Sequence, residues 1–143
     1  MSNAGDGLFL KADAPAGTVV AFYNGIRIPA HCDDDDVGDE DEDWEQCDYR
    51  VFVDTKSEER MDIPAEYRSW DAYRVTSGHK VNHSFTPNCD FGTFFHPRFG
   101  RIPCIKTLQE LKGGTELFCY YYYALSDCPE WYSALWDKMG ERK

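Results

Sequence analysis

One stretch near the middle of the chain, Asn82-His83-Ser84-Phe85-Thr86-Pro87-Asn88-Cys89, decides how the rest of the sequence is interpreted. Its side chains are mostly polar and a proline interrupts it, so neither a regular strand nor a helix is expected there. Asn, Ser and Thr side chains bond to nearby backbone or to a ligand, which predicts a tight loop. Composition alone favours an ordinary surface turn. A functional loop is the alternative, and it depends on a second stretch further along the chain.

The second stretch, Glu116-Leu117-Phe118-Cys119-Tyr120-Tyr121-Tyr122-Tyr123, is aromatic and predicts a long strand. Side chains alternate between the two faces of a strand. Tyr121 and Tyr123 are therefore expected on one face, and Tyr120 and Tyr122 on the other. One pair can then line a pocket while the other packs elsewhere. Packing of all four tyrosines within a sheet is the equally simple alternative.

Length and composition predict one intracellular domain with a substantial core. The chain has 143 residues, of which 42% are hydrophobic and 15% aromatic, and a chain of that length buries roughly two thirds of its unfolded surface. No apolar run is long enough for a transmembrane helix, and the start lacks the features of a signal peptide. Residues 1–4 are interpreted as a tag or linker remnant. The six cysteines contain no Cys-x-x-Cys pair, so reduced thiols are expected, with no metal site.

The net charge of −11 comes mainly from an acidic loop over residues 32–48. Its stretch 33–48 holds eleven acidic residues and no Lys or Arg. Nucleic acid is not expected as a direct partner, because there is no basic stripe to neutralise phosphates. An acidic loop can attract a basic peptide and speed its encounter. The alternative is a solvated loop with no role.

Short β-branched and aromatic runs broken by Gly and Pro predict a mainly β domain. The runs are residues 18–23, 26–28, 49–54, 92–96, 102–106 and 116–123. Asn24-Gly25 predicts a type I′ hairpin between the first two runs, and Pro103 predicts an edge position for its own run. Residues 56–62 are predicted as a charged turn, residues 69–75 as a short helix and residues 108–112 as at most one helical turn.

A C-terminal helix is predicted to open at Ser126-Asp127-Cys128-Pro129-Glu130. Proline suits the first helical turn, and acidic side chains favour the N-terminal end. Trp131, Leu135 and Met139 form one helical stripe. Core packing is the expected role for most of that stripe.

Three enzyme classes can be tested from the residues alone. A Cys/His nucleophile pair is conceivable because Cys89 lies near His83, but there is no nucleophile elbow and no third member. Paired carboxylates carry little information in so acidic a chain, and a phosphate-binding loop is absent. What remains is a pocket lined by aromatic hydroxyls, with Tyr23, Tyr121 and Tyr123 as candidates and the polar loop beside them.

The sequence resembles the SET-domain protein lysine methyltransferases. The resembling segments are residues 4–9, 22–28, 78–89, 96–100, 116–123 and 129–132. The most specific part is Asn-His-Ser-x-x-Pro-Asn, followed by the Glu-Leu strand that leads to Tyr121. The resemblance implies a mainly β SET domain (β-clip) over residues 5–127, made of short twisted sheets with a C-terminal pseudoknot. A short C-terminal helix over residues 128–143 would complete the site.

The resemblance also implies the cofactor S-adenosyl-L-methionine, with S-adenosyl-L-homocysteine as product. The cofactor would bind on one face and the substrate lysine on the opposite face, with a narrow channel between them. The implied cofactor-binding residues are Ala4, Gly5, Asp6, His79, Lys80, Asn82, His83 and Trp131. Among them Asn82 would fix the methionine end, His83 would contact the adenine through backbone atoms, and Trp131 would stack near the adenine.

The substrate channel implied by the resemblance is lined by Tyr23, Val53, Phe91, Tyr121 and Tyr123. Tyr121 would be the catalytic tyrosine, with Tyr23 and Tyr123 beside it. Phe91 stands where a close relative in the family has a tyrosine. The family uses that choice to separate monomethylation from higher states, so methylation beyond the monomethyl is expected.

Other departures from the family concern specificity. Pro103 replaces a substrate-contacting lysine, Leu135 replaces a cofactor-side glutamate, and Tyr120 and Tyr122 replace small residues. The expected partner is a basic protein or peptide such as a histone tail, bound by a monomer in the nucleus or cytoplasm without membrane contact. The alternative is a catalytically weak SET module that binds basic proteins through its acidic loop.

Overall fold

The computed structural model describes residues 7–23, 25–28, 51–53, 56, 59–63, 76–126 and 128–141. Within these ranges the secondary structure consists of nine strands, one 3-10 turn and one α-helix. In chain order they are β1 (Leu8–Phe9), β2 (Val19–Phe22), β3 (Ile26–Ile28), β4 (Val51–Phe52), β5 (Arg60–Asp62), the 3-10 turn Gly78–Lys80, β6 (Asn82–His83), β7 (Cys89–His96), β8 (Gly100–Thr107), β9 (Glu116–Cys119) and α1 (Glu130–Glu141).

The strands of the described ranges form three small sheets, ordered β1-β9-β6, β2-β8-β7 and β3-β5-β4. The longest pairing is the antiparallel β7–β8 hairpin, which runs from Cys89 opposite Thr107 to His96 opposite Gly100. The prediction of a mainly β chain of short sheets with one C-terminal helix is confirmed. The sheets stay small because Gly and Pro interrupt the aromatic runs after a few residues.

The parallel pair β6–β9 joins the two stretches that the sequence singled out. Asn82 lies opposite Phe118 and His83 opposite Cys119. The expectation that the first stretch forms only a loop is therefore wrong at its first two residues, and also at its last, because Cys89 begins β7. Main-chain pairing with β9 accounts for the difference at the first two, because it does not require apolar or β-branched side chains.

The strand predicted over residues 116–123 is shorter in the structure, where β9 ends at Cys119. Its neighbours β1 and β6 are each two residues long, so the pairing they provide supports only a short strand. Tyr122 then adopts a left-handed backbone with φ of 58°, which costs a non-glycine residue about 1–2 kcal/mol. The tyrosine rings still associate in alternating pairs, with Tyr121 and Tyr123 5.8 Å apart and Tyr120 and Tyr122 4.7 Å apart.

The hairpin predicted at Asn24-Gly25 is wrong, although Asn24 itself lies outside the described residues. β2 pairs with β8 and β3 pairs with β5, so these two strands belong to different sheets. A Cβ on Gly25 would lie 2.2 Å from the Asp62 carbonyl oxygen. The glycine is therefore required for close backbone approach to β5 and not for a hairpin turn.

Pro103 lies in the central strand of its sheet, which contradicts the predicted edge position. Its carbonyl oxygen accepts the Tyr23 N–H at 2.8 Å, just beyond the end of β2. In a regular antiparallel pair, the N–H of residue 103 would donate to the carbonyl oxygen of Tyr23. Proline has no such N–H, so one hydrogen bond is missing where the pairing of β2 with β8 ends. A central strand tolerates proline at such a point.

The predicted charged turn at residues 56–62 is wrong in part, whereas the prediction of at most one helical turn at residues 108–112 holds. β5 occupies part of the predicted charged turn 56–62, because it pairs with β3 on one side and β4 on the other. Residues 108–112 form no helical turn. Leu111 instead makes an isolated bridge with Ala14, and both residues are buried.

The helix α1 begins at Glu130, the last residue of the segment predicted to open it, and its apolar stripe is not buried. Trp131, Leu135 and Met139 are 45%, 42% and 38% exposed, whereas Tyr132 is fully buried. The expectation of core packing for the stripe is therefore wrong. The helix packs instead through the adjacent ridge that carries Tyr132. The Tyr132 ring contacts His83 of β6, Phe85 after β6 and Tyr123 after β9.

Two buried clusters form the core of the described residues. The first contains Ala21, Val81, Cys89, Ile105, Leu111, Leu117 and Cys119, and the second contains Tyr23, Val53, Met61 and Ile63. Phe91 packs against both clusters. The core therefore brings the end of β2 close to the residues around β6 and β9.

Some predicted features lie outside the described residues. They are the remnant at 1–4, the acidic loop 32–48 and the short helix 69–75. Across the ranges that the structure describes, no helix is long and apolar enough to cross a membrane. In those same ranges no three potential metal ligands converge, and Cys89, Cys104, Cys119 and Cys128 are free thiols.

Candidate functional site

Asn88 fastens the loop between β6 and β7 to β9. Its Nδ2 donates to the Glu116 carbonyl oxygen at 2.8 Å, and its Oδ1 accepts the Phe118 N–H at 2.9 Å. The Asn88 main-chain N–H also donates to the Phe118 carbonyl oxygen at 3.2 Å. A side chain that bonds a neighbouring main chain in both directions acts as an extra piece of strand. The loop and β9 therefore keep one relative position.

A half-buried carboxylate orients the asparagine at the start of β6. Asn82 Nδ2 donates to Glu116 Oε1 at 3.1 Å. A Cβ on Gly7 would lie 2.4 Å from the same oxygen, so the segment before β1 passes against the carboxylate. Among the described residues no Lys or Arg forms an ion pair with Glu116. Glu116 thus connects the Asn82 loop with the N-terminal segment that the resemblance assigns to the cofactor.

His83 lies at the centre of an aromatic cluster that gathers three parts of the chain. Its ring centroid is 4.5–6.0 Å from those of Phe85, Tyr120, Tyr121, Trp131 and Tyr132. Its Nδ1 accepts the Tyr121 N–H at 3.1 Å, so the neutral ring carries its proton on Nε2. Burial lowers the pKa of His83, and the Cys119 main chain, which favours the protonated ring, opposes the shift only in part. The imidazole is therefore neutral at pH 7.

Tyr121 is held at both ends, by His83 of β6 and by Val81, which directly precedes β6. Its main-chain N–H bonds to His83, and its phenol O–H donates to the Val81 carbonyl oxygen. Its ring lies 6.4 Å from Phe91 and 5.8 Å from Tyr123. A phenol that donates its only proton to a carbonyl presents its remaining lone pair as an acceptor.

The five residues predicted to line the channel form one contiguous group. Tyr23 and Val53 are 2% and 1% exposed and belong to one cluster, against which Phe91 packs. Phe91 in turn contacts Tyr121, and Tyr121 contacts Tyr123. Phe91 of β7 is thus the residue that joins the tyrosine after β2 to the tyrosines after β9.

His79 and Lys80 lie in the 3-10 turn that precedes β6. His79 is 4% exposed, and its ring centroid lies 6.3 Å from that of Tyr23. Burial, with a smaller contribution from the Lys80 charge, lowers the pKa of His79 to about 4. The turn depends on Gly78, because a Cβ there would lie 2.6 Å from the Phe22 carbonyl oxygen.

Trp131 reaches the site from α1. Its ring centroid lies 6.0 Å from that of His83, 6.2 Å from Tyr121 and 6.3 Å from Tyr123, and the side chain stays partly exposed. An indole placed in this way can stack on a flat ligand. The other predicted cofactor residues, at positions 4–6, lie outside the described residues.

Sequence reasoning missed roles for Glu116, Asn88 and Tyr132. The first two belong to the motifs quoted above, but their pairing arises only when β6 and β9 come together. Tyr132 is buried against His83 and Tyr123, although the stripe beside it has the stronger apolar pattern. The sequence showed only that one motif contains an asparagine and the other a glutamate. Their presence alone does not indicate that the two motifs bond to each other.

Comparison with known proteins agrees with this geometry. The SET domain family model matches residues 5–122. The chain is 41% identical over 146 aligned residues to Histone-lysine N-methyltransferase SETD7 from Halocynthia roretzi, and the match covers 96% of this chain and 36% of that relative. The chain therefore spans little more than a third of the relative's length. From the family match and the pairing of the Asn-His motif with the strand that leads to Tyr121, we conclude that this chain belongs to the SET-domain family.

Proposed function

We propose that this chain is a protein-lysine N-methyltransferase that uses S-adenosyl-L-methionine and releases S-adenosyl-L-homocysteine. The observation that carries the proposal is the parallel pairing of β6 with β9, because it sets Asn82 and His83 beside Tyr121. Membership of the SET-domain family supports it, as does the likeness to a relative named as a histone-lysine N-methyltransferase.

The described residues fit such a cofactor. Gly7 lets the segment before β1 approach the Glu116 carboxylate closely, because a Cβ there would overlap its Oε1. The buried His83 Nε2 has no hydrogen-bond partner among the described residues, and Trp131 offers an aromatic surface nearby. Asn82, His83 and Trp131 would hold the methionine end and the adenine. When bound, S-adenosyl-L-methionine supplies a methyl group carried on a positively charged sulfur.

The residues that line the predicted channel favour the neutral, reactive form of the substrate amine. Only a neutral lysine amine has a lone pair to share, and an enclosed aromatic wall disfavours the charged ammonium form, which lowers the amine pKa. Tyr23 and Val53 are buried and exclude water from one side of this group. Enclosure also fixes the direction of the amine, which reduces the entropic part of the barrier.

Tyr121 positions the amine and does not serve as its base. Its O–H already donates to the Val81 carbonyl oxygen, so its lone pair can accept a hydrogen bond from the amine N–H. The proton released on methylation goes to water. Because Val81 and His83 hold the two ends of Tyr121, the position of the phenol follows from β6.

Phe91 favours products beyond monomethyl-lysine. Its ring lies 6.4 Å from that of Tyr121 and carries no hydroxyl. A tyrosine at this position would add a polar group able to hold a water or the amine itself. A phenylalanine leaves apolar space, which suits a nitrogen that already carries a methyl group.

A basic protein tail is the proposed class of substrate. The acidic stretch 33–48 would attract a Lys/Arg-rich peptide, and its effect on the association rate would fall as salt rises. The same stretch favours the alternative function, a catalytically weak SET module that only binds basic proteins. A monomer acting in the nucleus or cytoplasm is part of the first proposal.

A calorimetric titration with S-adenosyl-L-homocysteine and a radiomethyl assay on mixed histones test the function together. We expect binding and transfer by the wild type. Asn82→Ala should weaken binding roughly tenfold or more through lost hydrogen bonds, whereas Tyr121→Phe should retain binding and lose turnover. Binding without transfer by the wild type would support the weak module, and absence of binding would contradict both the cofactor and the activity.

A further inference from the structure

Tyr122 lies between two residues of the predicted channel, Tyr121 and Tyr123, and the proposed reaction has not used it. Its backbone is left-handed, with φ of 58°. Glycine adopts this conformation without strain, whereas a tyrosine keeps it only where its surroundings hold it there. The residue is 65% exposed, so burial in the core does not account for its position. The few contacts that its side chain makes therefore matter for the course of the chain at this point.

Two contacts within the described residues hold the Tyr122 side chain. Its ring centroid lies 4.7 Å from that of Tyr120. Its phenol O–H donates to Asp90 Oδ1 at 3.2 Å. A carboxylate oxygen only accepts, so the direction of this bond is fixed. The bond joins the segment after β9 to β7, across 32 positions of the sequence.

The same Asp90 oxygen also holds the main chain of Phe91. Asp90 Oδ1 accepts the Phe91 N–H at 2.9 Å. β7 is an edge strand of its sheet, and an edge strand leaves some main-chain groups without a partner strand. In the part of the chain that the structure describes, Asp90 forms no ion pair with Lys or Arg. One oxygen therefore receives both the main-chain N–H of a channel residue and the hydroxyl of Tyr122.

These bonds close a ring of contacts around one wall of the channel. The Phe91 ring lies 6.4 Å from that of Tyr121, and Tyr121 directly precedes Tyr122. From Tyr122 the contacts return through Asp90 to the main chain of Phe91. The separation of the Phe91 and Tyr121 rings is thus fixed through the main chain as well as through the rings themselves. In the proposed reaction this separation sets the room available to a methylated amine.

We propose that Asp90 and Tyr122 are positioning residues that hold Phe91 against Tyr121 for the second methyl transfer. Both act through Phe91 and not on the reacting atoms. In the first transfer the unmethylated amine is oriented by its N–H bond to Tyr121. In the second transfer the nitrogen has exchanged an N–H for a methyl group that packs on Phe91, so its orientation depends more on that ring. The inference rests on the proposed function and deepens it by naming residues that control the product range.

Kinetics on two forms of one peptide test the proposal. The probe is the histone peptide that the wild type methylates most rapidly, prepared with its target lysine either unmethylated or monomethylated. Tyr122→Phe removes only the hydroxyl that bonds to Asp90. We expect kcat for the monomethylated peptide to fall about threefold to fivefold, the size expected for one modest hydrogen bond. KM for both peptides, kcat for the unmethylated peptide and the Kd for S-adenosyl-L-homocysteine should stay within about twofold of the wild type.

The Asp90 variants separate positioning from general structure. Asp90→Ala removes the acceptor of both bonds and should lower kcat for the monomethylated peptide at least as much as Tyr122→Phe does. Asp90→Asn retains an oxygen that can accept both bonds, so we expect its kinetics within about twofold of the wild type. Asp90→Ala combined with Tyr122→Phe should match Asp90→Ala alone, because both changes break the same bond. Asp13→Ala is the matched control, since Asp13 accepts the Gly113 N–H at 2.9 Å outside the channel, and it should leave both kcat values unchanged.

Four outcomes would overturn the proposal. They are an equal fall of kcat for both peptides in Tyr122→Phe, no fall for either, single effects that multiply in the double variant, and an Asp90→Asn variant as impaired as Asp90→Ala. If urea unfolding shows that Asp90→Ala does not fold, Tyr122→Phe and Asp90→Asn decide, because both keep the shape of the side chain. A wild type that stops at monomethyl-lysine contradicts the role of Phe91 and this inference with it. A wild type that transfers no methyl group at all overturns the proposed function itself.

Discussion

His79 makes the stability of the protein depend on pH in a measurable way. The residue is 4% exposed, and burial is the main cause that lowers its pKa from 6.5 to about 4. Between those values the unfolded chain binds a proton at this residue and the folded chain does not. The contribution of His79 to stability is therefore fully present above the unfolded pKa and is lost progressively as the pH falls toward the folded one.

The size of the effect follows from the two pKa values. A shift from 6.5 to about 4 lowers the free energy of unfolding by about 2 kcal/mol between pH 7.5 and pH 5. His83 adds a loss of the same sign, because burial lowers its pKa as well. Carboxylates titrate in the same range, so the contribution of His79 is isolated by comparing the wild type with variants that lack this imidazole.

Urea unfolding at both pH values provides the assay. We expect the wild type to lose about 2 kcal/mol more than either His79→Gln or His79→Phe on going from pH 7.5 to pH 5. The two variants control for packing, since glutamine and phenylalanine differ in polarity and volume but neither titrates. Their offsets at pH 7.5 should differ while their pH dependence agrees. Wild-type and variant profiles that run parallel would refute the reasoning.

Three further substitutions test other parts of the structure. Phe91→Tyr should shift products toward monomethyl-lysine in a mass-spectrometric time course, and an unchanged product ratio would contradict the role given to this position. Gly78→Ala, with its Cβ 2.6 Å from the Phe22 carbonyl oxygen, should lower the free energy of unfolding by about 3 kcal/mol. The control Gly140→Ala has open space within α1 and should leave this free energy unchanged or raise it by up to about 1 kcal/mol. Asn88→Ala removes two side-chain bonds to β9 and should cost about 2 kcal/mol in urea unfolding; a loss under about 0.5 kcal/mol would mean that water replaces them.

Local signals predicted the elements that depend on local chemistry. The β-branched and aromatic run at 18–23 became β2, and the acidic, proline-containing start at Ser126–Glu130 leads into α1. Strand propensity and helix-start preference act within a few residues, so they can be read without knowing the rest of the fold. The Asn-His motif also led to the family before any contact was known.

Pairing signals failed where the partner was remote. Asn24-Gly25 has the sequence of a hairpin turn, yet the strands on either side pair with β8 and β5. Proline is normally excluded from central strands. Pro103 is tolerated in β8 because the N–H that it lacks would have bonded just beyond the end of β2. The stripe on α1 has the stronger apolar pattern, but the ridge with Tyr132 meets the core. In each case a remote segment decided the outcome.

The sequence by itself determined the family, the residue types of the site and most of its short strands, because these depend on motifs and on neighbouring residues. Only the tertiary structure decided which polar groups pair. Asn82 and Glu116 are 34 positions apart and meet through the parallel alignment of β6 with β9. The same alignment directs His83 Nδ1 to the Tyr121 N–H. No periodicity along the chain encodes such a contact, because it depends on how the intervening β7 and β8 fold back and return the chain to β6.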